Sequence, residues 1–209
     1  PYDFAQHGFA MNVYIADPVE WVALFKMPNS GPPGLWRIVF PTADRDDAAT
    51  LSAENVERRM QGFIARRASY EVRYKSVYRV HQRVCKTFRS GRVVLAGDAA
   101  HVNNPLGAFG LNSGIHDAIS IAEKLGRVWR SEADDSLLDL YVRQRRMAAV
   151  EQVERMSIRN KRQLEERDPA VQRRRLQELM AIAQDPVRAR DHLLETSMIT
   201  GLRQSGQIR

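Results

Sequence analysis

Near the start of the chain the apolar residues fall in three short runs: Met11 to Ile15, Glu20 to Met27 around Trp21-Val22-Ala23-Leu24-Phe25, and Leu35 to Phe40. β-Branched and aromatic residues in such runs suit a pleated, half-buried surface, so they predict strands of an antiparallel sheet. Asp17-Pro18 separates the first run from the second. Pro28-Asn29-Ser30-Gly31-Pro32-Pro33-Gly34 is a dense turn signal, and it pairs the second and third runs as a hairpin with a longer loop. Pro41 to Thr50 is polar and acidic and predicts a loop. Ser52 stands where an N-cap belongs, ahead of a helix to about Arg67 with Val56, Met60, Phe63 and Ile64 on one face. From Tyr70 to His81 the period changes to two, which predicts a long strand with one charged side.

Further on, Val93-Val94-Leu95-Ala96 is uninterrupted, as expected of a short strand covered on both faces. Gly97 and Asp98 follow, then a loop with Pro105, Gly107 and Gly110. From Leu111 the positions Leu111, Ile115, Ala118, Ile119, Ala122, Leu125 and Trp129 keep helical spacing. His116 and Asp117 lie off that stripe and read as surface or interface polarity. Ser131 to Ser136 is an acidic linker. The next helix carries Leu137, Leu140, Tyr141, Met147 and Ala148, and its stripe thins beyond Val153 and Met156. Asp168-Pro169 and Asp185-Pro186 each place an N-cap acid before an N1 proline, opening two more helices.

With 209 residues and 44% hydrophobic content, the chain can build one sizeable core or two small ones. No run of eighteen apolar residues is present, so no membrane span is expected. The single cysteine, Cys85, excludes an internal disulfide and fits a reducing, cytoplasmic setting. Near His81 it lacks the surroundings of a nucleophile. The net charge of +7 is spread evenly, +4 over residues 1–90 and +3 over 91–209. Arg143, Arg145 and Arg146, and Arg173-Arg174-Arg175, fall in helical stretches that also carry Glu151, Glu154, Glu165, Glu166 and Glu178. They read as solvated faces with salt-bridge partners, and nucleic acid is not expected as a partner.

The chemistry concentrates at Asp98. A carboxylate at the end of a strand, facing a helix N-terminus, can accept hydrogen bonds from hydroxyls, while the free helix amides favour an electron-rich atom. The plainer reading is a strand–turn–helix corner in which Asp98 caps backbone amides.

Gly97-Asp98-Ala99-Ala100-His101, with Pro105, Gly107, Gly110 and Asn112 after it, resembles the second flavin-contact motif of the FAD-dependent aromatic hydroxylases, the p-hydroxybenzoate hydroxylase-like flavoprotein monooxygenases. The resemblance covers most of residues 10–165. It implies that Asp98 holds a ribityl hydroxyl of FAD and that Gly107, Gly110, Leu111 and Asn112 belong to the cofactor site. Pro105 would line the wall between flavin and substrate. Ala108 stands where many members have a second glycine.

The implied fold is an α+β fragment of a two-domain α/β flavoprotein. Residues 1–90 would form the substrate-binding sheet region, 91–130 the C-terminal part of a Rossmann-like FAD domain, and 131–209 C-terminal helices. The chain lacks the Gly-x-Gly-x-x-Gly fingerprint that receives a dinucleotide pyrophosphate, so an N-terminal FAD-binding portion is expected to be missing and the fragment alone to be inactive. The implied activity is hydroxylation of a small aromatic substrate with dioxygen, NADH or NADPH supplying electrons. A flavin-dependent dehydrogenase, reductase or halogenase, and a non-catalytic interaction module, remain open, as does a homo-oligomer. His101 is expected to orient by hydrogen bonding. It lies near Asp98, but no third group completes a metal site there. Tyr14, Trp21 and Trp36 could wall an aromatic pocket, or simply pack the sheet.

Overall fold

A computed structural model describes residues 1–17, 19–28, 31 and 34–209. The described elements are strands β1 (Asn12–Ile15), β2 (Val22–Lys26) and β3 (Trp36–Val39), helices α1 (Asp47–Thr50) and α2 (Ala53–Phe63), and short strands β4 (Arg83–Val84), β5 (Arg89–Ser90), β6 (Val93–Val94) and β7 (His101–Val102). Then follow α3 (Phe109–Trp129), α4 (Ser136–Met147), a π-helical segment (Ala148–Glu154), α5 (Arg155–Leu164), α6 (Pro169–Gln184), α7 (Pro186–Thr196) and α8 (Ile199–Gly206). The chain divides into two compact units, Pro1–Arg79 with Gln163–Gln172, and Val80–Arg162 with Arg173–Arg209.

The first unit is built on the three predicted strands, antiparallel in the order β1-β2-β3. Tyr14 pairs with Ala23, and Ala23 with Val39. The central strand buries Val22, Ala23 and Leu24, and the edge strands bury less. Phe4, Met60 and Tyr70 complete the core, with Val56, Phe63 and Ile64 of the α2 region packed against it. Trp36 meets Phe4 edge-on at 5.6 Å and Tyr14 meets Phe25 at 5.6 Å, so both rings pack the sheet. Arg59 ties α2 to the segment leading into β2 through Glu20, with Nε–Oε2 at 3.1 Å and Nη2–Oε1 at 2.5 Å. Most of the predicted hairpin loop, Asn29, Ser30, Pro32 and Pro33, and Pro18 of the Asp17-Pro18 break lie outside the described residues.

Ser52 caps α2 as its position predicts, its Oγ accepting the Asn55 amide at 3.2 Å. Ser52→Ala is therefore expected to cost about 1 kcal/mol, measured by chemical denaturation. The acidic stretch before it ends in the single turn α1, capped by Asp46. The long strand predicted from Tyr70 onward is absent: residues 70–82 form no ladder, and Val72, Tyr74, Tyr78 and Val80 are exposed. Alternation makes a strand only where a neighbouring backbone pairs with it and one face is covered. Neither condition is met by the described residues.

The second unit holds two antiparallel ribbons, β4 with β7 and β5 with β6. Val93 is exposed, so the predicted strand covered on both faces is instead the two-residue arm of a hairpin. Its core joins Phe88, Ala100, Tyr141 and Ala149, and a second cluster joins Phe109, Val153, Met156 and Met198. Tyr141 is fully buried and donates its hydroxyl to Leu95 O at 2.8 Å, which holds α4 against the end of β6. The helices opened by Asp168-Pro169 and Asp185-Pro186 are present. Asp168 accepts the Ala170 amide at 2.8 Å, and Asp185 accepts those of Val187 and Arg188. Arg155–Glu151 and Arg188–Glu178 are ion pairs on exposed helix surface, but their arginines are not those of the clusters the charge pattern singled out.

Candidate functional site

β6 runs through Leu95 and Ala96 into a single 3₁₀ turn, Gly97–Ala99. Gly97 takes φ +58°, and its Cα lies so near Gly114 of α3 that a β-carbon on Gly114 would come within 3.4 Å of it. A glycine at both positions lets the turn rest on the helix backbone. Asp98 projects from this turn and is exposed, and among the described residues its carboxylate makes no hydrogen bond or ion pair. Asp98 thus does not cap backbone amides, and the plainer reading of this corner loses its basis.

The loop leading to α3 is fixed from behind by side-chain amides, Asn104 buried and Gln82 and Asn160 half-buried. Gln82 Oε1 accepts the Asn104 backbone N–H and Nδ2–H, both at 3.1 Å. Asn104 Oδ1 accepts the Leu106 amide at 3.1 Å, and Asn160 Nδ2 donates to Leu106 O at 3.3 Å. Pro105 stays exposed on this braced loop. Gly107 (φ +107°) and Ala108 (φ +58°) then turn the chain into α3. An alanine in the left-handed region costs about 1–2 kcal/mol, a strain glycine would not carry.

No side chain among the described residues caps α3, so its first-turn amides have no capping acceptor there and the positive end of the helix is open. Leu111 and Asn112 are exposed there and Gly110 is half-buried. The structure therefore gathers Gly107, Gly110, Leu111 and Asn112 at one helix end, with the Asp98 turn seated on the same helix. A shallow depression of about 210 Å³, lined by His116, Ile119, Glu123, Arg145 and Leu202 among others, includes none of these residues.

What joins the turn to the helix is a pair of residues that the sequence pattern places on the surface. Asp117 is 0% exposed and Arg145 3%. Arg145 Nε donates to Asp117 Oδ1 at 2.5 Å, and its Nη2 reaches Ser113 Oγ at 3.3 Å. Asp117 Oδ2 accepts the Gly97 amide at 2.9 Å and His101 Nε2–H at 2.7 Å. Burial pushes the Asp117 carboxyl up, but hydrogen bonds from His101, Arg145 and Gly97 outweigh it and hold the group below the usual carboxylate range. His101 has the orienting bond expected of it, and the carboxylate it meets is Asp117.

The buried face of α3 is accordingly Phe109, Ser113 and Asp117, spaced four apart. The predicted apolar stripe points outward. All seven of its members are exposed, Leu111 at 78% and Trp129 at 82%. The one signal for the true inward face is that Ser113 and Asp117 continue the register of Phe109. A buried acid also needs a cation, and Arg145 lies 28 residues away on another helix.

Residues 3–157 match the family described as the FAD binding domain, and the chain belongs to this family of FAD-binding monooxygenases. It is similar to para-nitrophenol 4-monooxygenase of Pseudomonas sp. (strain WBC-3), with 34% identity over 209 residues, 97% of this chain and 50% of that protein. With 6-hydroxy-3-succinoylpyridine 3-monooxygenase of Pseudomonas putida it shares 32% identity over 172 residues, 80% of this chain and 42% of the relative. The crystal structure of p-nitrophenol 4-monooxygenase from Pseudomonas putida superposes with a TM-score of 0.83 at 32% identity, covering 96% of this chain and 50% of that one. The chain spans about half the length of these relatives. Its fold is thus part of a flavoprotein monooxygenase fold, combining helices with small antiparallel sheets. No helix among the described residues is long and apolar enough to cross a membrane.

Proposed function

We propose that these residues hold the ribityl tail and the ring edge of FAD in a monooxygenase that hydroxylates a small aromatic molecule. The observation that carries this reading is the exposed carboxylate of Asp98, beside a helix N-terminus; among the described residues the carboxylate has no partner and the helix no side-chain cap. A hydroxyl-rich tail needs an acceptor that the protein does not already use, and an electron-rich ring edge suits open amides with a positive dipole end. Asp98 would accept from a ribityl hydroxyl. Gly110, Leu111 and Asn112 would meet the ring, Gly107 would allow the loop to close on it, and Pro105 would face the substrate. When bound, FAD would take electrons from NADH or NADPH and activate dioxygen. The two curated relatives are named for a nitrophenol and a hydroxypyridine, which favours a hydroxyl-bearing aromatic ring as substrate.

Asp98→Ala, in the protein at its full encoded length, is expected to raise the Kd for FAD roughly ten- to a hundredfold, the loss of a charge-assisted hydrogen bond worth about 1.5–3 kcal/mol. Fluorescence titration reads this directly, and an unchanged Kd removes the site. Oxygen incorporation into a phenolic product, coupled to NADH or NADPH oxidation, separates hydroxylation from flavin chemistry without oxygen transfer.

A further inference from the structure

We infer that Asp117 is a positioning residue for Asp98, a role that rests on the flavin reading of Asp98. One of its oxygens, Oδ2, receives both the Gly97 amide and His101 Nε2–H, at 2.9 and 2.7 Å. These two donors bracket the segment 97–101, and Asp98 lies between them. Inside the bracket the Ala100 amide closes on Gly97 O at 2.8 Å, so the turn is held at both ends and across its middle. The Asp98 side chain has no partner of its own among the described residues, and its direction follows entirely from this backbone.

The other oxygen anchors the clamp. Oδ1 takes Arg145 Nε from α4, and the same guanidinium reaches Ser113 on α3. A carboxylate in a fully buried position is a costly way to join two helices, since well-packed apolar residues commonly do as well or better. Here it also satisfies the Gly97 amide, pressed against Gly114 where an apolar side chain would leave that donor without an acceptor. The buried charge thus serves the turn as well as the helix pair, and Asp117 sets where Asp98 presents its carboxylate.

A double-mutant cycle on FAD affinity, in the protein at its full encoded length, tests this. Asp117→Asn is expected to raise the FAD Kd about tenfold in the wild-type background and less than twofold when Asp98 is already alanine. An equal loss in both backgrounds would mean that Asp117 merely supports the fold, and it overturns the inference. So does wild-type affinity in Asp117→Asn. If leaving Arg145 uncompensated prevents folding, the pair Asp117→Asn with Arg145→Gln removes both buried charges together and enters the same cycle with the same expected pattern. Should Asp98→Ala alone leave FAD binding unchanged, the flavin reading itself falls, an outcome distinct from additivity.

Discussion

Arg145→Met is expected to lower the folding stability by about 3–5 kcal/mol, because it leaves the Asp117 carboxylate buried with no cation. Methionine fills much of the same volume, so the loss reports the missing charge more than a cavity. Chemical denaturation measures it as a fall in midpoint at unchanged slope. Arg143→Met, two residues away at an exposed position, is the control and should stay within about 0.5 kcal/mol of wild type. The pH dependence carries a second signature. Asp117 has a folded-state pKa below its ordinary value. Its contribution is therefore complete above the unfolded-state pKa of about 4, and is lost as pH falls through the lower folded value. In Arg145→Met that depression shrinks, and the acid-side loss assigned to Asp117 shrinks with it.

Gly107→Ala is expected to be nearly as damaging, for a different reason. At φ +107° a side chain strains the backbone by about 1–3 kcal/mol. The added carbon would also sit 2.4 Å from Phe109 Cε2 and 2.8 Å from Asn160 Nδ2. Phe109 cannot swing away cheaply, since it is buried against Val153, Met156 and Met198. Relieving the overlap costs a further 1–3 kcal/mol or so, and it does so by shifting the first residue of α3. The variant should show both a lower unfolding midpoint and weaker FAD binding. A wild-type midpoint would show that the loop before α3 is not braced as described.

Much of the fold was legible because local chemistry decides it. The strands β1 to β3 follow from their β-branched and aromatic runs. The starts of α2, α6 and α7 follow from Ser52, Asp168-Pro169 and Asp185-Pro186, since a capping oxygen acts on amides two or three residues away, whereas α2 stops at Phe63, short of the predicted Arg67. The alternation after Tyr70 and the apolar run at Val93 misled, because pairing depends on distant backbone that a short-range pattern does not contain.

The α3 helix shows the division most plainly. Its period was right, and its seven apolar positions do share a face, yet the packing within these 209 residues uses the opposite side, where Ser113 and Asp117 lie. Periodicity marks which positions could be buried by some partner; it carries no information on which partner is present, and the chain spans only about half the length of its relatives.

By itself the amino-acid order determined the local grammar of this protein: caps, turns, helix periods, and a Gly-Asp corner followed by a glycine-bearing loop. Only the tertiary structure decided that Asp98 has no partner among the described residues while Asp117 does the tying, and that Arg145 is interior. The reason is electrostatic: whether a charge can be buried depends on a counter-charge brought to it across 28 residues of chain, and no window of sequence shows that meeting.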